Sequence, residues 1–556
     1  MGPSGSGKTS LLNALALQTP ASDRVRLSGS LAVNGLDVGR EGSSDAEHAV
    51  AYVQQEDVFY SQLTVYETLE TAARLRMGAG ATRETRELAI TALLRRLGLT
   101  HARDTRVGDK KTRGISGGEK KRLALACELV GESPAVVAAD EPTSGLDAFQ
   151  AQRVMESLRA LARDERKTVI CSIHQPRGSI VALFDDICLM AGGEVVYVGA
   201  MKDAASWFQS QGHPVPPGVN PAEFLIDLVS IDATDAESET RSMKRLKSLV
   251  DAWRSEGAAR AAKKKTAADG STVTNPDETA GAGALQSSVQ SSVAAAGGGP
   301  GGFFSQFALL LRRSWRQVRR DRATNGVRLA TSLNSALVFG SIFWRMGTKQ
   351  SSIQDRLGLL QVSAINAAMA ALMKTLTAFT KEKVIVNRER ASGAYGMFPY
   401  LLAKLAAELP VGAFFPLAFG AVVYPMAGLH PGLGRFSKFC GLITLESFSS
   451  AAVGLAVSAV APSTEAAVAM GPAVMVLFIV FGGYYVNAEN VPRAFRWING
   501  CSLIKWAFQG LCINEFDGLD VGSAARAQVN VMSFCYLLTL HLLEKTAPKF
   551  ARIEEI

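Results

Sequence analysis

No CxxC pair occurs in the 556 residues, and the seven cysteines stand at no metal-ligand spacing, which excludes a disulfide scaffold and a zinc site. No basic leader opens the chain; the apolar run Leu11–Leu17 follows a glycine-rich turn, so a signal peptide is not expected. Charge is scarce toward the C-terminus, with only 20 Asp, Glu, Lys and Arg among the 166 residues from Ala391 to Ile556. That scarcity excludes a wholly soluble, wholly disordered or collagen-like chain, because several stretches of about 20 residues are apolar enough to span a bilayer. The length exceeds one ordinary domain of about 100–200 residues, so at least two are expected.

The charge that is present lies in blocks. The net charge is +8, yet seven arginines fall between Arg312 and Arg328, directly before the first apolar span. Basic residues flanking a span mark its cytosolic end, so the excess belongs to membrane flanks and no nucleic-acid partner is expected. Residues 1–231 alternate helical periodicity with β-rich runs such as Thr168–Ile173 and Glu194–Val198, the pattern of an α/β domain with a parallel sheet. From 232 to 302 one basic amphipathic piece (Ser242–Trp253) gives way to a Gly/Ala/Ser/Gln tract. This stretch buries too little to offset its ordering entropy and is expected to be a flexible linker.

Residues 303–556 read as an all-α membrane domain. Its entry sets Phe303, Phe304, Phe307, Leu310, Leu311 and Trp315 at helical spacing opposite arginines, which describes an interfacial elbow helix. Six spans follow, at 327–346, 357–380, 399–424, 436–461, 465–486 and 528–544. The sixth is the shortest, since an apolar run of about 15 residues rises only ~22 Å against a hydrocarbon core of ~30 Å. An even number leaves both chain ends on one side, shared by Arg312–Arg328, Lys381–Arg390 and Lys545–Arg552, and the positive-inside rule makes that side the cytosol.

Chemistry is concentrated in the first part. Gly2-Pro3-Ser4-Gly5-Ser6-Gly7-Lys8-Thr9 fits GxxxxGK[ST], in which backbone N–H groups wrap phosphates, the lysine reaches the outer phosphates and the hydroxyl binds magnesium. A helix over Ser10–Leu17 follows. Val136-Val137-Ala138-Ala139 runs into Asp140-Glu141, an apolar strand ending in two carboxylates, one suited to hold the metal and one to polarise an attacking water. Between them Ser116-Gly117-Gly118-Glu119 opens a helix whose bare N–H groups suit an anion. Any one of these is weak. Their order is not: the phosphate loop, Gln55 in YVQQED, SGGE, Asp140-Glu141, Ser144-Gly145-Leu146-Asp147, and His174 after an apolar strand.

That ordered set resembles the ATP-binding cassette. A cassette preceding a membrane domain, with ISGGEKKRLALACEL, DEPTSGLDAFQAQ, SIHQPRGS, NPAEFLIDLVS and RWINGCSLIKWAFQGLCINEF, is similar to the White/G subfamily of half-size transporters, particularly plant and algal members. The likeness covers nearly everything outside 232–302. It implies ATP and Mg²⁺ as cofactors. Gly2, Ser4, Gly5, Ser6, Gly7, Lys8, Thr9 and Ser10 then contact the nucleotide, with Gln55, the signature residues Ser116, Gly117, Gly118 and Glu119, and Asp147. Thr9, Gln55 and Asp140 become the metal set, Glu141 the catalytic base and His174 the switch histidine.

The same likeness implies a second half-transporter subunit, as homodimer or heterodimer, because one phosphate loop and one signature cannot close a site on themselves. It implies export of a hydrophobic or amphipathic small molecule or lipid across the bilayer, at the plasma membrane or an organelle envelope. Family members carry several tens of residues before the loop, including an adenine-stacking aromatic and the strand feeding the loop. The cassette is therefore expected to lack its N-terminal strands, including a central one between the Asp140 strand and its neighbours. A truncated, ATPase-defective subunit that assembles with or regulates a competent partner is the alternative, and a soluble cassette ATPase is excluded by the six spans. Glu446, near the middle of the fourth span, reads either as a substrate-path group or as a protonated acid bonded to its surroundings.

Overall fold

The computed structural model describes residues 1–556 apart from 23, 35, 39–49, 78–79, 110–111, 132–133, 270–301, 348, 487–490, 518–521, 547–552 and 555–556. The chain forms two compact units: 1–57 with 64–299 and 549–556, and 58–63 with 300–548.

In the first unit, apolar runs without a polar alternation produce the strands of a parallel sheet, with Val50–Val53 and Val136–Asp140 largely buried and Thr168–Ser172 less so. β4 (Val50–Val53), β5 (Val136–Asp140) and β6 (Thr168–Ser172) pair in parallel in that spatial order, with Ala138 opposite Ile170 and Asp140 opposite Ser172. Helix α1 (Lys8–Leu15) lays Leu12 against Tyr52 and Ala138. The short strands β1 (Leu27–Ser28), β2 (Ala32–Val33) and β3 (Leu36–Asp37) precede β4, and β1 pairs in parallel with β9 (Ile553–Glu554). Helices α2 (Val65–Arg76), α3 (Arg83–Arg96) and α4 (Gly117–Leu129) follow β4, and α5 (Ala148–Asp164) joins β5 to β6.

The expected place for a strand ahead of the phosphate loop, beside β5, is already taken on both sides by β4 and β6. The backbone of Met1 instead lies beside β7 (Asp186–Ala191), its ammonium donating to the Cys188 carbonyl at 2.5 Å and its carbonyl accepting from Met190 at 2.9 Å. β7 turns into β8 (Glu194–Ala200) through Gly192-Gly193, both at positive φ, as a two-residue hairpin of the right-handed twist requires.

The helix α6 (Gly178–Val181) leads to β7, while α7 (Met201–Ser210) and α8 (Pro221–Val229) follow β8. The packed part of this unit extends past residue 231, where a flexible linker was expected to begin. Helix α9 (Ala236–Asp269) places Leu249 and Val250 in one core with Leu189, Val196, Trp207 and Phe208. The basic amphipathic piece carries enough apolar surface to join that core; the remaining linker residues expected over 270–301 lie outside the described ones.

Among the described residues the regular elements of the second unit are helices: α10 (Phe303–Arg320), α11 (Arg322–Ile342), α12 (Ser352–Ala391), α13 (Met397–Ala427), α14 (Leu433–Val460), α15 (Thr464–Val480), α16 (Arg496–Cys501), α17 (Leu503–Cys512) and α18 (Gly522–Lys545), with short 3-10 and π turns beside α16 and α17. Three of these, α12, α13 and α14, are long and apolar enough to cross a membrane, at 40, 31 and 28 residues. Helix α11 covers most of the expected first span, and α15 is a shorter apolar helix of 17 residues where the fifth is expected. It stops at Val480, two residues before Gly482-Gly483, with Gly483 at φ 87°. Helix α18 runs for 24 residues, about 36 Å, longer than the apolar run that suggested a short sixth span.

Between the second and third expected spans the polar, basic Lys381–Tyr395 is expected as a cytosolic loop; through Ala391 it is instead the last three turns of α12. Seven of the eleven residues 381–391 are strong helix formers, and no Gly or Pro falls among them. Small residues bring α12 and α14 together: Ser450 donates to the Ala368 carbonyl at 2.6 Å, and a Cβ on Gly454 would stand 3.1 Å from that of Thr375. Glu446 is fully buried there and accepts from Gln528 Nε2 of α18 at 3.1 Å.

Leu249 is 2% exposed. Leu249→Ala is expected to destabilise the first unit by about 2–5 kcal/mol, as large-to-small core changes do. Thermal unfolding of the full chain monitored by tryptophan fluorescence measures this, and an unchanged transition would show that α9 is only a tether.

Candidate functional site

The phosphate loop is shaped by glycines that cannot be replaced. Gly5 and Gly7 lie at φ 77° and 89°, and a Cβ on Gly2 would fall 2.0 Å from the Met190 carbonyl oxygen. Gly7 caps α1 without a side-chain acceptor, which leaves the first N–H groups of that helix suited to bind an anion. The Lys8 ammonium folds back onto the loop, donating to the carbonyls of Gly2 at 3.0 Å and Pro3 at 2.8 Å. Partial burial lowers its pKa, against the raising influence of Glu141 and Asp140.

The carboxylates stand at the C-terminal ends of the parallel strands. Asp140, 2% exposed, accepts through Oδ1 from Thr9 Oγ1 at 3.2 Å and from the Ser172 hydroxyl. Glu141 has a left-handed backbone at φ 44°, a strained conformation for a side-chain-bearing residue. Its N–H donates to Ser172 Oγ at 2.9 Å and its Oε2 accepts from Gln55 Nε2 at 2.7 Å. Thr9, Gln55, Asp140 and Glu141 are thus brought together, while His174 is exposed two residues beyond Ser172 and next to Gln175 at φ 45°. Oxygen donors from Thr9 and Asp140 side by side, one of them a buried carboxylate, fit a hard divalent cation such as Mg²⁺.

Ser116 to Glu119 form a second group. Ser116 caps α4 in a reciprocal box: Glu119 N donates to Ser116 Oγ at 3.3 Å, and Ser116 N donates to Glu119 Oε2 at 2.7 Å. Burial pushes the Glu119 carboxyl up, but the hydrogen bonds from Ser116 and from His101, 2.6 Å away, hold it below its usual range. Asp147 caps α5 by accepting from Gln150 N at 2.9 Å. Gln150 in turn stands 3.4 Å from Ser116 Oγ, and a Cβ on Gly118 would come within 1.9 Å of its side chain. Gly118 is therefore required by the close approach of α5.

Ser172, Gln150 and Lys121, which donates to the Gln55 carbonyl and pairs with Asp57 at 3.3 Å, escaped the reading of motifs. Ser172 carries a detectable signal, a polar residue closing an apolar strand in register with Asp140; Gln150 and Lys121 carry none outside the fold.

A phosphate loop, a carboxylate pair at a parallel-sheet edge and a capped glycine signature on one α/β unit define an ATP-binding-cassette ATPase. Residues 1–144 match the family model described as ABC transporter. Residues 305–516 and 174–255 match two described as ABC-2 type transporter. The sequence is 51% identical to ABC transporter G family member 7 of Arabidopsis thaliana, over 100% of this chain and 77% of that protein. It is 33% identical to Protein white of Drosophila melanogaster, over 95% of this chain and 74% of that one. A similar likeness, 33% over 94% and 76%, holds for the ABC transporter ATP-binding protein/permease wht-1 of Caenorhabditis elegans. The chain belongs to the ABC transporter G family, as a White-type half-transporter that couples ATP hydrolysis to transport.

Ser172→Ala removes one donor to Asp140 and the acceptor of Glu141 N–H. Loss of such supporting contacts lowers activity by about 10–100-fold, and the ATPase rate of the variant at saturating ATP is expected in that range. A rate equal to that of the unmodified chain would show that Ser172 does not support the carboxylates.

Proposed function

We propose that the chain is one half of a dimer that exports a hydrophobic or amphipathic small molecule or lipid, with ATP held between the phosphate loop of one subunit and the signature of the other. A homodimer is the simplest form, and a related half-transporter can substitute. The observation that carries this reading is the division of the site residues into two groups. Lys8, Thr9, Asp140, Glu141 and Gln55 are bonded around the phosphate loop, whereas Ser116, Glu119, Asp147 and Gln150 are bonded around the signature. Each chain has one of each, so closing two sites takes two chains.

In this reading Gly2, Ser4, Gly5, Ser6, Gly7 and Ser10 line the phosphates with backbone and hydroxyl donors, and Lys8 exchanges its loop carbonyls for phosphate oxygens. Thr9 and Asp140 would hold Mg²⁺, which would supply positive charge beside the outer phosphates; Gln55, also expected in the metal set, turns its amide nitrogen to Glu141. Glu141 accepts a proton from the attacking water, Gln55 orients that carboxylate, and His174 acts as the switch residue at the end of β6. Most of the rate comes from positioning and electrostatics, as in phosphoryl transfer generally. The amphipathic or apolar nature of the cargo is supported by an open groove of about 630 Å³ between α13 and α14, lined by Leu417, Phe436, Cys440, Gly441 and Phe448. A cytosolic position for the cassette and both ends of the chain is supported by the basic flanks of the spans. The membrane itself is taken as the plasma membrane, with an organelle envelope as the second location.

Glu141→Gln keeps the side-chain shape and removes the base. ATP affinity is expected to stay unchanged, while turnover falls by about 10²–10⁴-fold, the usual contribution of general-base catalysis. Parallel binding and hydrolysis assays check this, and turnover retained in the variant would remove Glu141 from that role.

Subunits carrying Lys8→Ala, mixed with subunits carrying Ser116→Arg, should recover one composite site from the intact loop of one and the intact signature of the other. Recovery of ATPase activity above either variant alone is the expected result. No recovery would argue against the pairing of loop and signature between chains.

A further inference from the structure

The signature carries a carboxylate where an anion is to be received. Gly117 and Gly118 open α4, and the first N–H groups of a helix have no acceptor within it, so they suit a phosphate. Glu119 lies in that same turn. Its charge opposes a phosphate at short range unless it is turned aside or balanced. Its side chain is only 15% exposed, and a charge so placed also needs donors of its own.

The two oxygens of Glu119 are divided between two donors. Oε2 accepts from Ser116 N at 2.7 Å and closes the capping box, while Oε1 stands 2.6 Å from His101 Nε2. An ionised carboxylate only accepts, so the ring nitrogen is the donor there. With both oxygens taken, the rotation of the carboxylate is fixed. Glu119 N in turn donates to Ser116 Oγ at 3.3 Å, so the place of that hydroxyl depends on the same turn. The hydroxyl proton is directed to Gln150 Oε1 at 3.4 Å, a long contact that a phosphate oxygen can replace.

His101 comes from outside the motif, on a backbone that is firmly held. Its side chain is 68% exposed, yet it lies in the 3-10 turn Thr100–Ala102, where Leu99 and Ala102 are 0% and 3% exposed. The carbonyls of Arg103 and Thr105 accept from Tyr66 N at 2.9 Å and Val65 N at 3.1 Å, which ties the segment to the first turn of α2. The next link reaches the signature itself: the Arg106 carbonyl accepts at 3.2 Å from the N–H of Ile115, the residue before Ser116. The imidazole therefore approaches Glu119 from a point fixed to the same frame.

We propose that His101 is a positioning residue of the ATPase site, whose hydrogen bond holds the Glu119 carboxylate on Ser116 N–H and turns its charge away from the phosphate that the signature receives. This rests on the reading that the signature of one subunit meets the nucleotide of the other. His101 acts through Glu119 alone. Alanine at this position removes the donor, whereas the amide of glutamine keeps an N–H for the same oxygen.

The test compares steady-state ATPase kinetics of the full chain in lipid nanodiscs, with Mg²⁺ and ATP, for the unmodified chain, His101→Ala and His101→Gln. The phosphate loop that takes up ATP is untouched, so His101→Ala should lower kcat by about tenfold, the lower end of what such supporting contacts contribute, and leave KM unchanged. His101→Gln should recover most of that loss. An unchanged kcat in His101→Ala overturns the proposal, as does a rise in KM with kcat retained. An equal loss in both variants, or a loss in His101→Ala that coincides with thermal unfolding at the assay temperature, also overturns it, because position 101 would then serve the fold alone. All three chains keep loop and signature intact, so failure of the Lys8→Ala and Ser116→Arg mixture would strike the pairing of chains and not this comparison.

Discussion

A carboxylate buried to the depth of Asp140 keeps its charge only when hydrogen-bond donors reach it, since an unpaired buried charge costs several kcal/mol. Parallel strands supply those donors because their ends stand level. With Asp140 opposite Ser172 and Val53 opposite Ala139, the residues that follow each strand emerge on one edge, and these are Gln55, Glu141 and His174. Thr9 arrives from the first turn of α1, whose Leu12 packs under the same strands. A slip of one residue between β5 and β6 would turn Asp140 or Ser172 to the opposite face and undo every contact around the loop.

The second unit answers a different demand. Hydrocarbon offers no partner to a backbone N–H or carbonyl, so helices are the economical form, and small residues let them approach closely. Ionic side chains are then gathered toward helix ends in mutually satisfied sets. Lys404, Glu382, Glu408 and Lys374 make one such set; Lys374 and Glu408 pair with each other and do not reach singly for water. At the opposite ends of α12 and α13, Arg356 pairs with Glu515 and donates to the carbonyls of Met346 at 3.0 Å and Gly428 at 3.1 Å. Glu515 also accepts from His430 N, through both oxygens, at 3.1 Å. Buried pairs contribute little net stability, but removing one partner costs about 3–5 kcal/mol, so these sets specify how the helices are arranged.

What the sequence reveals follows the range of each interaction. The phosphate loop, the signature and the Asp140-Glu141 pair are local patterns, and the structure brings the loop, Gln55 and the two carboxylates into contact. The division into an α/β part and a helical part was equally legible from composition. Ser172 and Gln150 were not, because each acquires its partner through strand register or helix packing that no local pattern records. The first part of the expected loop Lys381–Tyr395 was misread for a related reason: charge suggests a loop, yet Lys, Glu, Arg and Ala are strong helix formers and no Gly or Pro interrupts α12 before Ser392. Helix α9 differed because Leu246, Leu249, Val250 and Trp253, at helical spacing, suffice to join a core with the apolar residues of β7 and β8.

The resting arrangement of the loop also bears on how it can respond to nucleotide. Lys8 is satisfied by its own loop carbonyls, and Glu141 by Gln55, so both groups hold internal hydrogen bonds that a triphosphate must replace. Exchanging one hydrogen bond for another leaves a small net cost, about 1 kcal/mol or less per bond, whereas leaving a bare ammonium in the same place would cost far more. Gln55 is the member on which two demands meet. Its carbonyl is fixed by Lys121 while its side chain holds Glu141. With the backbone pinned and the amide free to change partner, the rearrangement at Glu141 stays confined to side chains.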